Sequence, residues 1–293
     1  MVQSQASSFD AISPTALMVA YTRQFTDIPY GKELAQLVNA ESFIEQLQQK
    51  NLSQPSEVSV LVEARYKALN QVISQHLQFE TTQIIELASG LLPRGMAMSQ
   101  NQNITFVESD LPAMISQKQQ LVKRLIGERQ NLYFEAIDAT NQPSQFPLNV
   151  NYLHQNQPVV VLCEGLLTYL TLAEKQKVFA NVREILQVYD GVWITPDLTT
   201  FDGLNQLRQI SPGLQRLNQT ASNVSGRAIN NYHFENIDHV KQFAYEQGFD
   251  IKEYSMLEVM NQITCLKPLG IEPEVVKSML AIGSTFVLTL CNS

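Results

Sequence analysis

Apolar positions in the first 80 residues recur at close to the helical period. TALMVAYTRQF, entered through Ser13 and Pro14, predicts one helix. KELAQLVNAESFIEQLQQK predicts a second, ending near Asn51. EVSVLVEARYKALNQVISQHL predicts a third, with Val58, Leu61, Val62, Leu69, Val72 and Ile73 mostly on one face.

From residue 81 the pattern changes to short apolar runs separated by amphipathic stretches. TTQIIELASG predicts a strand ending at Gly90, with a helix starting at Pro93. NITFVESD is a second strand, and Asp110 with Pro112 predicts a capped entry into PAMISQKQQLVKRLI. LYFEAIDA is a third strand, and the unbroken run PVVVLCEG predicts a fourth, buried on both faces of a parallel sheet. Helix LAEKQKVFANVREILQ and strand GVWITPDLT follow. Residues 199–232, rich in Gly, Asn and Ser, interrupt the rhythm and predict an inserted flap. Helix ENIDHVKQFAYEQ, strand DIKEYS, helix EPEVVKSMLA and strand STFVLTL complete the chain. The alternation predicts a doubly wound α/β sheet with right-handed crossovers, over residues 81–293, preceded by a helical cap over 1–80.

Composition narrows the function classes. The chain has 293 residues, 44% hydrophobic and 16% charged, which is ample for a core. A net charge of −8 argues against nucleic acid or an anionic membrane as partner, and the basic run 121–124 reads as a solvated helix face. No apolar run approaches the ~20 residues of a membrane span. The N-terminus lacks the basic start and apolar stretch of a signal peptide, so the expected compartment is the cytoplasm. Cys163, Cys265 and Cys291, and His76, His154, His233 and His239, are too scattered to form a metal motif. No bound metal is expected.

Ligands of open parallel sheets bind beyond the carboxyl ends of the strands, near the switch point. At those ends stand Glu86 to Gly90, Glu108 to Asp110, Asp138 and Glu164. Small residues Ala88, Ser89 and Gly90 suit close approach of a ligand to the backbone. Glu108, 18 residues beyond Gly90, can accept hydrogen bonds from both hydroxyls of a ribose. Asp138 can accept from an adenine amino group, and Glu164 can support the first loop or a ligand amino group. Each feature has a plainer reading, a tight connection or a helix cap, and for Asp110 the cap is preferred. Their order along the chain favours the ligand.

The succession ELASGLLPRG, FVESDLP, AIDAT and CEGLLTYL resembles the leucine carboxyl methyltransferase family in its broad sense, which includes bacterial O-methyltransferases associated with polyketide synthesis. Glu164 to Leu170, an EG-x-x-x-YL segment, is the most specific piece, and the likeness is best over residues 60–195. It implies a Rossmann-like class I methyltransferase sheet of seven strands, the last antiparallel, with S-adenosylmethionine as cofactor. Glu86, Ala88 and Gly90 would form the first cofactor loop together with Ser89. Glu108 would hold the ribose with Ser109 beside it, Asp138 and Ala139 would meet the adenine, and Glu164 would be the acid of the EG segment. Arg65 would match the arginine that grips the methionine carboxylate. The usual three spaced glycines are replaced here by Ala88, Gly90 and Leu92. The absence of GxGxxG argues against a nicotinamide oxidoreductase.

Methyl transfer from a sulfonium is an in-line displacement, in which alignment is the main task. An ionised carboxylate needs no general base, whereas a hydroxyl benefits from one. No histidine is placed at a sheet end by this reading, which favours a carboxylate or acidic hydroxyl of a small molecule or a peptide terminus. No catalytic residue is assigned. Tyr21, Arg23 and Tyr169 are the candidates for the acceptor pocket, with Tyr232 and His233 behind them. A methyltransferase-fold protein that binds without catalysis is the competing reading.

Overall fold

The computed structural model describes residues 13–48, 56–76, 82–141, 150–211, 219–223, 226–227 and 232–291. Four helices come first: α1 (Ser13–Arg23), α2 (Gly31–Leu37), α3 (Ala40–Gln48) and α4 (Ser56–His76). The long second helix expected from the pattern is therefore two. Its break lies at Val38 and Asn39, where Asn39 takes a left-handed backbone at φ 51°. Asparagine reaches that region more readily than most residues, so an amphipathic pattern that runs through it still turns a corner.

Strands β1 (Thr82–Leu87), β2 (Ile104–Asp110), β3 (Leu132–Ala136), β4 (Val159–Cys163), β5 (Gly191–Thr195), β6 (Phe249–Ser255) and β7 (Ser284–Leu290) form one sheet in the order β3-β2-β1-β4-β5-β7-β6. β3, β2, β1, β4 and β5 pair in parallel, and β7 runs antiparallel between β5 and β6. The expected seven-stranded sheet with an antiparallel last strand is what forms. β1 and β4 are neighbours at the middle, so the chain reverses direction across the sheet there and opens a crevice at their carboxyl ends.

Alternation along the strands divides the core. Ile84, Phe106, Val160 and Ile194 face one layer, with Leu69, Val72 and Ile73 of α4 and Leu121 and Val122 of α6 (Pro112–Ile126). Ile85, Val107, Val161 and Trp193 face the other, with Phe179 and Val182 of α7 (Leu172–Tyr189) and Phe243 of α9 (Ile237–Glu246). Phe179 meets Trp193, Phe243 and Phe249 edge-on at centroid distances of 4.6, 5.1 and 5.5 Å. Such contacts contribute about 0.5–1.5 kcal/mol each beyond their buried area. α7 starts with a capping box: Thr171 accepts from Glu174 N, and the Glu174 carboxylate accepts from Thr171 N.

Two expectations at element ends change. The stretch after Pro93 is only a short helix, α5 (Arg94–Met98). Asp110 does not cap α6, whose entry residue is Leu111 without a side-chain cap. The part of the expected flap at 199–232 that is described opens with a regular helix, α8 (Phe201–Ile210), capped by Thr200 accepting from Gly203 N. Within 199–232, residues 212–218, 224–225 and 228–231 lie outside the described ones.

Candidate active site

Loop geometry begins with β1. Ala88 (φ 51°) and Gly90 (φ 46°) both take left-handed backbone, folding the chain back at the strand's end. For Gly90 this conformation is free; for Ala88 it is strained, by about 1–2 kcal/mol. The fold-back is locked from β2: Gly90 N donates to Asp110 Oδ2 at 2.7 Å, and Ser89 N donates to Ser109 O at 2.8 Å. Asp110 also accepts from Leu111 N at 2.7 Å. Burial raises its pKa, against the lowering effect of these two N–H donors and Lys118.

Residues from these loops line a cavity of about 740 Å³, bounded on the sheet side by Ala88–Gly90, Asp110, Asp138 and Glu164, and on the helical side by α1, α4 and α8. Of the residues expected at a cofactor, Arg65, Ala88, Ser89, Gly90, Asp138, Ala139 and Glu164 line it. Asp138 holds Thr140 N and Thr140 Oγ1 with a single oxygen, Oδ1, at 2.9 and 2.7 Å. Asn181 Nδ2 fixes the Ala139 carbonyl at 2.8 Å.

Glu86, Glu108 and Ser109 do not line the cavity. The Glu86 carboxylate is fully buried against Arg94, and its carbonyl accepts from Ser109 Oγ at 2.9 Å. Glu108 is sealed beneath the loop, paired with Lys118 Nζ at 2.6 Å. Gly95 lies so close that a Cβ there would meet Glu108 Oε1 at 2.1 Å. Burial pushes the Glu108 carboxyl up to about 7, with Lys118 opposing. The burial of Glu108 has a simple geometric cause. Side chains two residues apart share one face of a strand, and Asp110 is the pleat that emerges at the rim. Lys118 also donates to Ser89 O at 3.2 Å, tying this buried pair to the loop above it.

A charged cluster lies beside β4. Arg94 is fully buried and donates to Glu86 and, at 2.8 Å, to Glu164 Oε2. Arg65 Nη2 stands 3.9 Å from Glu164 Oε1, with 29% of its side chain exposed. Burial alone would raise the Glu164 carboxyl, but Arg94, Arg65 and Arg23 hold it below the usual range. Arg23, expected in the acceptor pocket, lines the cavity on this side, donating from Nη1 to Leu91 O at 3.0 Å. Burial brings its pKa down to about 10, so it stays charged at neutral pH. Three guanidiniums face two carboxylates here. Among the described residues, Arg23 Nε, Arg65 Nε and Glu164 Oε1 have no hydrogen-bond partner. With Glu86 Oε2 also unpartnered, unpaired donors and acceptors stand side by side, which suits a zwitterionic ligand head.

Tyr169 lines the cavity, and burial raises its phenol. Tyr21 does not line it; its ring packs edge-on against Phe25 at 5.3 Å, and its phenol is raised by burial and by Glu41 and Glu45 of α3. It lies on the outward face of α1, which the helical spacing alone did not distinguish.

Two residues escaped the sequence reading, Asp197 and Lys175, while His233 stood there only as a weaker candidate for the acceptor pocket. Asp197, just past β5, is buried and accepts from Gly165 N, Leu166 N and Leu167 N at 2.9, 2.7 and 3.0 Å. It thereby shapes the loop that carries Glu164. Lys175, buried in α7, donates to Leu170 O at 2.6 Å and Tyr232 O at 2.5 Å, and burial brings its pKa down to about 8. This ties Tyr232, the last residue of the expected flap, to α7, with His233 next to it in the chain. The expectation that no histidine reaches the sheet ends is therefore overturned: His233 lines the cavity, 2.7 Å from Thr199 Oγ1 through Nδ1. Its sequence distance from β5 hid this; the parallel bridge Thr200–Phe234 brings the two together.

Among solved structures, the chain is similar to the CurJ carbon methyltransferase at 13% identity, covering 95% of this chain and 67% of that one, with a TM-score of 0.51. It is also similar to magnesium protoporphyrin IX methyltransferase from Synechocystis PCC 6803 with bound SAH, at 12% identity over 82% of this chain and 89% of that one, TM-score 0.47. The first likeness places the sheet among Rossmann-like methyltransferase folds. No curated protein sequence matches the chain. A family model for leucine carboxyl methyltransferase matches residues 13–183, from α1 through most of α7, and this chain belongs to that family.

Proposed function

We propose that the protein transfers the methyl group of S-adenosylmethionine to an oxygen, a carboxylate or an acidic hydroxyl, of a small molecule or peptide terminus. The observation that carries the reading is the cavity at the carboxyl ends of β1, β2 and β4, where Asp110 holds the first loop and an arginine-rich cluster flanks Glu164. The methionine carboxylate pairs with Arg65, with Arg23 adding charge from α1, and the amino group takes the open oxygen of Glu164. Asp110 accepts from the ribose hydroxyls in place of Glu108, and Asp138 meets the adenine. The cofactor supplies an activated methyl on sulfur. The protein's part is to align the acceptor with that methyl and to exclude water, which is how positioning contributes to an in-line displacement. The cap of α1–α4 carries two of the cations and the sheet carries the acids, so the two divisions of the chain act on one site.

Calorimetric titration of S-adenosylmethionine and S-adenosylhomocysteine, with NAD as comparison, tests this. Micromolar binding that falls at least about tenfold in Asp110→Ala, for loss of charge-assisted hydrogen bonds, is expected. Failure of both sulfur ligands to bind the folded protein would remove methyl transfer and leave the non-catalytic reading.

A further inference from the structure

Two guanidiniums bear on Glu164, one in contact and one short of it. Arg94 Nη2 donates to Glu164 Oε2 at 2.8 Å, while Arg65 Nη2 stops 3.9 Å from Oε1. Oε1 has no hydrogen-bond partner among the described residues. Arg65 and Glu164 line the cavity, and Arg94 does not. An arginine and a carboxylate this close favour two parallel hydrogen bonds, because fork and carboxylate match in shape. Here the pair stands open, although Arg65 is partly exposed and not locked by burial.

Arg94 supplies the cause. Its guanidinium is fully buried at the start of α5 and is held through three nitrogens. Nε donates to Asn70 Oδ1 of α4 at 3.0 Å, Nη1 donates to Glu86 of β1, and Nη2 donates to Glu164 just past β4. Tyr66 of α4 packs against it, with the guanidinium carbon 4.7 Å from the ring centroid. Partners on three separate elements fix both the position and the plane of the fork. Glu164 Oε2 is thereby pinned from behind the cavity wall, and Oε1 is left on the side of Arg65.

Resting on the methyl-transfer reading, we propose that Arg94 is a positioning residue. By holding Oε2 it stops Glu164 from closing on Arg65, and so keeps an anion and a cation apart for the ammonium and carboxylate of the cofactor's amino-acid head. The ligand completes what the protein leaves unmade: its ammonium takes Oε1 and its carboxylate takes Arg65. Neither contact requires a protein ion pair to be broken first, so the ordering cost is met by folding rather than by binding. A residue that only supported the loop after β1 would act on the whole cofactor. Arg94 acts on its head alone.

The test titrates S-adenosylhomocysteine and methylthioadenosine into the full chain. The two share adenosine and a thioether, and only the first carries the amino-acid head. Wild type is expected to prefer the first by at least about tenfold. Arg94→Lys keeps the charge but not the fork, and is expected to lose about tenfold for S-adenosylhomocysteine and nothing for methylthioadenosine. Glu164→Gln is expected to cost the wild type about tenfold for S-adenosylhomocysteine. In Arg94→Lys the same substitution should cost nothing or restore affinity, because it releases Arg65 from the closed pair. Asn70→Ala leaves every charge in place and removes only the hold on Nε. It is expected to lose about threefold for S-adenosylhomocysteine with methylthioadenosine unchanged, and it carries the comparison if thermal denaturation shows Arg94→Lys to be unfolded. Proportional losses for both ligands, a further tenfold loss from Glu164→Gln in Arg94→Lys, or a wild-type preference retained in Asn70→Ala would overturn the proposal while leaving methyl transfer intact. Failure of the wild type to bind S-adenosylhomocysteine would instead strike the methyl-transfer reading itself.

Discussion

Glu108 and Asp110 show how much hangs on one pleat. Both are acids at the end of β2, and the motif FVESDLP carries them together. Sequence identifies the motif but not which acid reaches the rim, because that depends on how far the first loop descends over the strand. The loop's depth is set by Lys118, Gly95 and the Gly90–Asp110 hydrogen bond, none of which is local to either acid. The two positions should respond differently to substitution. At pH 8, where Glu108 is ionised, Glu108→Ala leaves Lys118 as a buried charge without its carboxylate. Breaking a buried pair in this way costs about 3–5 kcal/mol. Urea denaturation of Glu108→Ala should show that loss, with cofactor affinity reduced only in proportion to the unfolded fraction. A fully stable Glu108→Ala protein that no longer binds S-adenosylmethionine would return the ribose contact to Glu108.

At the scale of elements, β1 to β5, β6, β7 and the helices α4, α6, α7 and α9 were legible as alternating apolar runs and amphipathic periods, because those signals come from burial on a sheet face. The break at Asn39 and the helix at Phe201–Ile210 were not, since one depends on a single left-handed residue and the other on a helix with no fully buried position. The loop after β4 was legible as a motif, EG-x-x-x-YL, while its support was invisible. That support comes from Asp197, 33 residues beyond Glu164 and on another strand end. An ionised carboxylate accepts three backbone N–H groups there, and an amide oxygen can replace only some of that. Asp197→Asn places an NH₂ against those donors and should destabilise the protein by about 2 kcal/mol. It should also weaken S-adenosylmethionine more than S-adenosylhomocysteine binding is weakened by Tyr21→Phe, a substitution on the outward face that should leave affinity unchanged. Wild-type stability in Asp197→Asn, measured by denaturant titration, would mean that the loop is held by other contacts.

Across the whole molecule, buried titratable groups pull stability in opposite directions with pH. His233 has a folded pKa of about 4, below the ~6.5 of an unfolded histidine, so its contribution is complete above pH 6.5 and is lost as pH falls toward 4. Glu108 is the reverse. Its folded pKa of about 7 exceeds the ~4.3 of an unfolded glutamate, so its contribution is complete below that value and is lost as pH rises through 7. The two slopes overlap between about pH 4.5 and 6.5 and oppose each other there. The two slopes partly cancel across that window, and Asp110 and Asp197, both raised by burial, add to the decline as pH rises. Glu164, beside its arginines, and Glu63 of α4, which accepts from Lys67 Nζ, Thr264 N and Cys265 N, are both held below the usual carboxylate range and add stability that disappears only as pH falls further, through their folded values. Each variant should unmask the slope left by its partner. In His233→Phe, stability should decline as pH rises from 4.5 to 6.5; in Glu108→Gln it should increase over the same interval. At full burial each shift corresponds to about 3 kcal/mol, and solvent screening at the cavity brings the histidine's share to about 2. Denaturation midpoints at closely spaced pH values measure both. Parallel profiles in the two variants would mean that these groups do not titrate as their burial dictates. Opposite slopes would locate the pH response in two residues at the same end of the sheet, Glu108 beneath the loop after β1 and His233 in the cavity wall.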